Sequence, residues 1–318
     1  MKKQILLSFL AGAVMPLVLA AAFHKTPPVP EAESESISPT VAYRETDTET
    51  MVTVQNSSGN LQQMSLREYL VGVVLAEMPA DFEPEALKAQ AVVARTYTRK
   101  RMEGSKHSGA SVCMDPGCCQ GFRSGEEYLS QGGRASSVEK IRSAVADTDG
   151  LVLRYDGKLI DATYFSCSGG TTEDAVAVWG QDVPYLQSVE SPGEEEAPRF
   201  TDSVTFSPAQ LAGKLGLDST GDPAEWFGSV TYTDGGGVEA MVIRGQSFTG
   251  TQLRQKLGLR STAFSVQASA DAITITTRGF GHRVGMSQYG AQAMALAGST
   301  CAEILAHYYT GAELVRED

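Results

Sequence analysis

The chain has 318 residues, 42 % hydrophobic and 20 % charged, which leaves room for a sizeable core and about two domains of roughly 100–200 residues each. Its 26 Lys and Arg stand against 38 Asp and Glu, a net charge of −12. That acid surplus argues against nucleic acid as a partner, because phosphate contacts need clustered cations. Five cysteines are too few for a disulfide framework, and the overall polarity excludes a multispan membrane protein.

Lys2 and Lys3 precede 19 uncharged residues, 5–23. As a helix this run spans about 28 Å, close to a bilayer core of about 30 Å. The basic end should stay cytoplasmic and the remainder should be exported. Ala20-Ala21-Ala22 would suit signal cleavage, yet the run exceeds an ordinary signal-peptide core of about 7–15 residues, which favours an uncleaved anchor. Residues 1–25 are therefore expected to be an anchor or signal peptide. Residues 26–50, rich in Pro, Ser, Thr and Glu, are expected to be a disordered tether.

The folded part begins with strands at 51–54 and from Leu61, joined by a turn at 56–60. Ser65 and Glu68 read as a capping box for a helix whose Leu66, Leu70, Val73, Val74 and Glu77 share one stripe, stopped by Pro79. A second helix runs from Pro84 to near Gly104. Its Lys88, Arg95 and Arg99, at i, i+7 and i+11, form a basic stripe. Residues 105–131 read as loop, and 138–145 as a helix. Strands at 151–155 and 158–164 flank Asp156-Gly157, a hairpin signal. After an acidic break at 192–198 come a helix following Pro208, strands at 230–232 and 238–243, and a helix at 251–257. A strand at 272–277 leads to a Gly-rich loop, then helices at 287–297 and 302–309. The expected class is α+β: a discontinuous catalytic domain at 51–195 and 263–318 around a smaller α/β insert at 196–262.

Glu77 ends an otherwise apolar helix, where the macrodipole disfavours a carboxylate. Partial burial there would raise its pKa and suit a general acid; the plainer alternative is a half-exposed helix end. The basic stripe would suit an anionic substrate, or simply a solvated face. His107, Cys113, Cys118 and Cys119 suit a tetrahedral zinc site, with a disulfide as the alternative in an exported protein. Zinc deaminase chemistry fits poorly, because the H-x-E element is missing. Cys167 and His282 could form a thiol–imidazole pair, as in a cysteine peptidase on wall peptides, or Cys167 is a small buried residue. The 279–288 loop is not a P-loop, since no Gly-Lys-Ser/Thr follows.

Four motifs, in order, resemble the stage II sporulation protein D family. They are Ser65-Leu66-Arg67-Glu68-Tyr69-Leu70 with Glu77-Met78-Pro79; Glu85-Ala86-Leu87-Lys88-Ala89-Gln90-Ala91 with Ala94-Arg95-Thr96-Tyr97; Phe165-Ser166-Cys167-Ser168-Gly169-Gly170; and Gly279-Phe280-Gly281-His282 with Gly285-Met286-Ser287-Gln288-Tyr289-Gly290-Ala291. The resemblance implies a lytic transglycosylase of endospore formers, acting in engulfment on peptidoglycan strands that an amidase has stripped of peptide. It implies a catalytic role for Glu77 and groove positions for Lys88, Arg95, Tyr97, Ser168, His282 and Gln288. Clostridial relatives carry zinc in a segment like His107…Cys113…Cys119, with Cys118 as a possible fourth ligand; a structural role is expected. It also implies a single-pass membrane location outside the cytoplasm, and an amidase or endopeptidase and a membrane scaffold as partners. Cys167 departs from the family, where Thr is common. A non-catalytic amidase enhancer on the same scaffold is the rival reading.

No second acid stands out beside Glu77 except Asp81 and Asp161, whereas a glycoside hydrolase ordinarily uses two. One carboxyl suffices if the sugar's own 6-hydroxyl attacks. The Lys88/Arg95 face would then hold the lactyl carboxylate exposed by peptide removal.

Overall fold

Ser65 adopts extended backbone and its side chain accepts the Glu68 N–H, opening the helix Leu66–Glu77. Only half of the expected capping box forms. Glu68 turns its carboxylate to Arg142 instead, at 2.6 and 3.2 Å. The helix is buried nearly all round, because Tyr69, Val71 and Leu75 are covered as well as the expected stripe. Pro84 occupies the first turn of the 20-residue helix Pro84–Glu103. This helix packs against Leu66–Glu77, Ala135–Asp147, Gln288–Leu296, Cys301–Tyr308 and the strand Leu151–Tyr155, so it is the axis of the main core. Ala86, Ala89, Ala91 and Ala94 lie fully buried along it, and their small side chains permit that many neighbours.

The structure, a computed structural model, describes residues 46–317. The anchor reading at 1–25, and the tether reading as far as residue 45, lie outside the described residues. Thr46–Glu49 corrects the end of the tether: it is a short helix, with Asp47 buried. Among the described residues no helix is long and apolar enough to cross a membrane.

The fold is mixed α+β, with several small sheets. Met51–Gln55 pairs antiparallel with Leu61–Ser65, Met51 opposite Ser65, and its other edge takes Val112–Cys113 in parallel. The expected loop at 105–131 therefore contains a strand that fixes Cys113, and also a helix, Gly125–Ser130. Asp156 and Gly157 both take positive φ, 47° and 72°, as a two-residue hairpin turn requires. Leu151–Tyr155 lies between Lys158–Leu159 and Glu313–Arg316. The second hairpin strand is shorter than expected. Tyr164–Phe165 leaves it and pairs in parallel with Met286–Ser287, which brings two of the sequence motifs side by side.

A second apolar core, with Phe206, Leu211, Trp226, Ile243, Leu253, Ile273 and Ile275, is separate from the first. It is built on the sheets Gln246–Thr249, Val238–Ile243, Phe227–Tyr232 and Phe264–Ala268, Ile273–Arg278, Thr201–Phe206, with helices Pro208–Leu215 and Gly250–Leu257. The expected insert at 196–262 leaves out Phe264, Ile273 and Ile275, which pack in this core. Arg283 joins the two cores: it donates to Glu173 at 2.8 Å and to the carbonyls of Ser168, Thr171 and Gly235.

Candidate active site

A cavity of about 480 Å³ opens where the two cores meet, and Glu77, Tyr97, Cys119, Arg254, His282 and Gln288 are among its walls. That volume lies within the range of about 300–1,000 Å³ typical of ligand pockets. Glu77 reaches it from the last turn of Leu66–Glu77. The Gly121 N–H donates to its Oε1 at 2.7 Å. A side chain at 121 would crowd that approach, since a Cβ there would lie 2.9 Å from the same oxygen. Burial pushes the Glu77 carboxyl above its ordinary range, against opposing pulls from the Gly121 N–H, the Tyr164 hydroxyl and the Gln288 amide. A carboxyl with a raised pKa beside a cavity suits general-acid work.

Gln288 opens the helix Gln288–Leu296 and is 5 % exposed, with its amide turned to the Glu77 carboxyl. His282 packs on the rings of Phe165 and Trp179, at 5.6 and 5.5 Å between centroids. Burial, then the nearby Arg254 charge, lowers its pKa to about 4, so the ring is neutral at pH 7. The Val284 N–H donates to Nδ1 at 3.2 Å, which leaves the proton on Nε2.

The other expected groove residues are elsewhere. Lys88 pairs with Glu85 at 2.9 Å and Asp147 at 3.4 Å. Arg95 is buried against Asp47 at 2.7 Å. Arg99 of the same stripe pairs with Glu317 at 2.9 Å. The basic stripe is thus a seam for the protein's own carboxylates. Ser168 is fully buried and its Oγ donates to Glu194 at 2.6 Å.

Glu194, read from the sequence as part of an acidic break, is a buried hub. It accepts the N–H groups of Ser168, Gly169 and Gly170, and the hydroxyls of Ser168, Ser191 and Ser287. Cys167 also turns its thiol to Glu194, at 3.5 Å, rather than to His282. Burial, and then the Glu194 charge, push that thiol up to about 12. It is 3 % exposed and poorly placed as a nucleophile. Sequence reasoning missed Arg254, which lines the cavity, and Gly121, whose N–H holds the Glu77 carboxyl. Tyr164 stood next to a quoted motif and was the one such residue with a local signal.

Beside the cavity, His107 Nε2 lies 3.2 Å from Cys119 Sγ and 3.7 Å from Cys118 Sγ. The donor atoms of His107, Cys113, Cys118 and Cys119 all fall within 4.8 Å of one another. Around a zinc ion with bonds of about 2.0–2.3 Å, tetrahedral donors sit about 3.5–3.8 Å apart, so the set fits. Burial opposes the Cys119 thiolate, yet hydrogen bonds from the Cys113 N–H, the Tyr97 hydroxyl and His107 bring its pKa to about 7. Burial pushes Cys113 up to about 11. All five cysteines are free thiols, so the disulfide alternative is not formed.

The stage II sporulation protein family model matches residues 54–155. Stage II sporulation protein D of Bacillus amyloliquefaciens is 40 % identical over 270 residues, covering 83 % of this chain and 78 % of that protein. Its namesake in Bacillus subtilis (strain 168) is 41 % identical over 270 residues, with the same coverage. The amidase enhancer of Bacillus subtilis (strain 168) is 32 % identical over 303 residues, covering 77 % of this chain but 40 % of that protein. With those identities over most of both chains, this chain belongs to the stage II sporulation protein D family.

Proposed function

We propose that the protein is a lytic transglycosylase that cuts peptide-stripped peptidoglycan strands during sporulation. The observation that carries this reading is Glu77, the one carboxyl among the cavity's lining residues, with a raised pKa. A hydrolase with two carboxylates finds less support: Asp161 is paired with Lys100 at 2.6 Å and Arg101 at 3.2 Å, and Asp81 does not line the cavity.

In this scheme the protonated Glu77 gives its proton to the glycosidic oxygen as the C1–O bond breaks. The carboxylate so formed takes the proton of the sugar's own 6-hydroxyl as that oxygen bonds to C1. The products are a new 4-hydroxyl end and a 1,6-anhydro end, with no water consumed. The attack is intramolecular, an advantage of up to about 7–11 kcal/mol in the best cases. The Gly121 N–H at 2.7 Å stabilises the carboxylate between the two proton transfers. His282, neutral and with its proton on Nε2, serves as a hydrogen-bonding wall of the cavity. His107, Cys113, Cys118 and Cys119 would hold zinc, which would cross-link the 105–123 segment that carries Gly121.

We place the enzyme outside the cytoplasm, between forespore and mother cell, held by a single N-terminal span. Its partners in this reading are the glycan strands, an amidase or endopeptidase that strips them, and a membrane scaffold. The similarity to an amidase enhancer favours one rival, a non-catalytic wall protein. Mass spectrometry of digested peptide-free strands separates the two. Wild type should leave anhydro ends and Glu77→Gln should form them about 10²–10⁴-fold more slowly. Cleavage by Glu77→Ala at the wild-type rate would overturn the mechanism.

A further inference from the structure

The fold neutralises its fully buried guanidiniums. Arg95 faces Asp47 at 2.7 Å, and Arg283 faces Glu173 at 2.8 Å. Arg254, half-buried at the cavity wall, has no such partner among the described residues. It is the one cation among the cavity's lining residues apart from the neutral His282. Its Nε is buried and makes no hydrogen bond. Burial alone acts on its pKa, downward, and its charge is felt by His282. An unpaired charge withdrawn from water is costly to keep.

Arg254 is rigidly presented. It stands in the helix Gly250–Leu257, opened by a full capping box between Thr249 and Gln252 and fixed by the buried Leu253 and Leu257. The neighbouring Arg260 also has a buried, unbonded Nε, but its guanidinium is occupied, lying 4.0 Å over the ring of Phe280. The second core therefore contributes one uncompensated fork of N–H donors to a cavity that Glu77 of the main core also lines. A planar fork matches a carboxylate, and the displaced Lys88 and Arg95 leave that role unfilled.

We propose that Arg254 binds the lactyl carboxylate of the peptide-stripped sugar and so selects stripped strands over peptide-bearing ones. This assignment rests on the glycan-cleaving reading above. When peptide is attached, the same group is a neutral amide and cannot form a charge-assisted pair with the guanidinium. The second core is then a module that checks whether the strand has been processed.

The test is binding of two oligomers to the full chain carrying Glu77→Gln, which suppresses turnover. One is a peptide-free glycan oligomer with free lactyl carboxylates; the other has each carboxylate converted to a methylamide. The free acid should bind about 10- to 100-fold more tightly, the range expected for a charge-assisted pair. Adding Arg254→Met should bring the ratio to within about twofold, and Arg254→Lys should retain part of it. Should Arg254→Met fail to fold, by its thermal midpoint, the Lys variant decides: an unchanged ratio overturns the assignment. An unchanged ratio in folded Arg254→Met, or no binding of the free acid, overturns it too. Anhydro ends are scored separately with wild type. Ends without Arg254-dependent discrimination sink this assignment alone. Discrimination without ends supports it and sinks the transglycosylase reading.

Discussion

The carboxylate of Asp47 receives both Nε and Nη2 of Arg95, at 2.7–3.0 Å, with each side chain 1 % exposed. The remaining Arg95 donors go to the carbonyls of Leu151 and Val145 and to the Thr148 hydroxyl. Asp149 in turn caps the 46–49 helix by accepting the N–H groups of Thr46 and Asp47. Asp47→Ala would leave a buried guanidinium without its anion. The expected loss is about 3–5 kcal/mol in urea unfolding. The folded fraction should still cut glycan at a rate close to wild type, since neither residue lines the cavity.

Glu77 sets the pH dependence. As a general acid it must be protonated, so kcat/KM should fall as pH rises through its raised pKa, later than an ordinary carboxyl at 4.5 would dictate. Glu77→Gln should lower the rate by about 10²–10⁴-fold. Stability should move the same way. A carboxyl with a raised folded pKa favours the fold below 4.5 and loses that contribution as pH rises through the folded value. Glu77→Gln should therefore melt at or above the wild-type temperature at pH 7, read by thermal denaturation.

Metal analysis should find roughly one zinc per chain, the count for a tetrahedral Cys/His site. His107→Ala and Cys113→Ser should each lose most of it, and chelation should lower the melting temperature. Tyr97→Phe removes the hydroxyl that supports the Cys119 thiolate. Zinc should then bind about 10- to 100-fold more weakly, measured by competition with a metal indicator. Unchanged metal content in these variants would show that the cluster is not a site.

Cys167→Ala should leave glycan cleavage within about twofold of wild type, because the thiol faces Glu194 and has a pKa near 12. Glu194→Ala should be far more damaging. It strands three backbone N–H groups and three hydroxyls in the interior, for a loss of roughly 2–4 kcal/mol read by denaturant midpoint. A cysteine enzyme would show the reverse pattern of activity loss for Cys167 and Glu77.

Features set by near neighbours in the chain were legible. Ser65 caps its helix, Pro84 opens the next, and Asp156-Gly157 turns the hairpin, because each depends on residues within a few positions. Glu77, Tyr97, His282 and Gln288 could be read as site residues from their motifs, and they do share a cavity. Arg95 could not be placed correctly, since its partner is 48 residues away in a stretch with a disordered composition. Glu194 was hidden by its own neighbours, because Glu195 and Glu196 are exposed and make the run look solvated. Arg254 carried no signal at all. An arginine in a polar helix becomes notable only once the fold denies it a counter-ion.

The helix 84–103 holds Arg95, Tyr97 and Arg99 within a little more than one turn. At about 100° per residue, Tyr97 points roughly opposite to both arginines. Arg95 grips Asp47, near where the described chain begins, and Arg99 grips Glu317, near where it finishes. Tyr97 instead looks into the cavity. Both ends of the described chain are thus bolted to one side of a single strut, and the working face is on its far side. A tug on the segment before Thr46 would be grounded through the Asp47–Arg95 bolt into the middle of the main core. The cavity, lined from the opposite face of that helix by Tyr97, would stay unloaded.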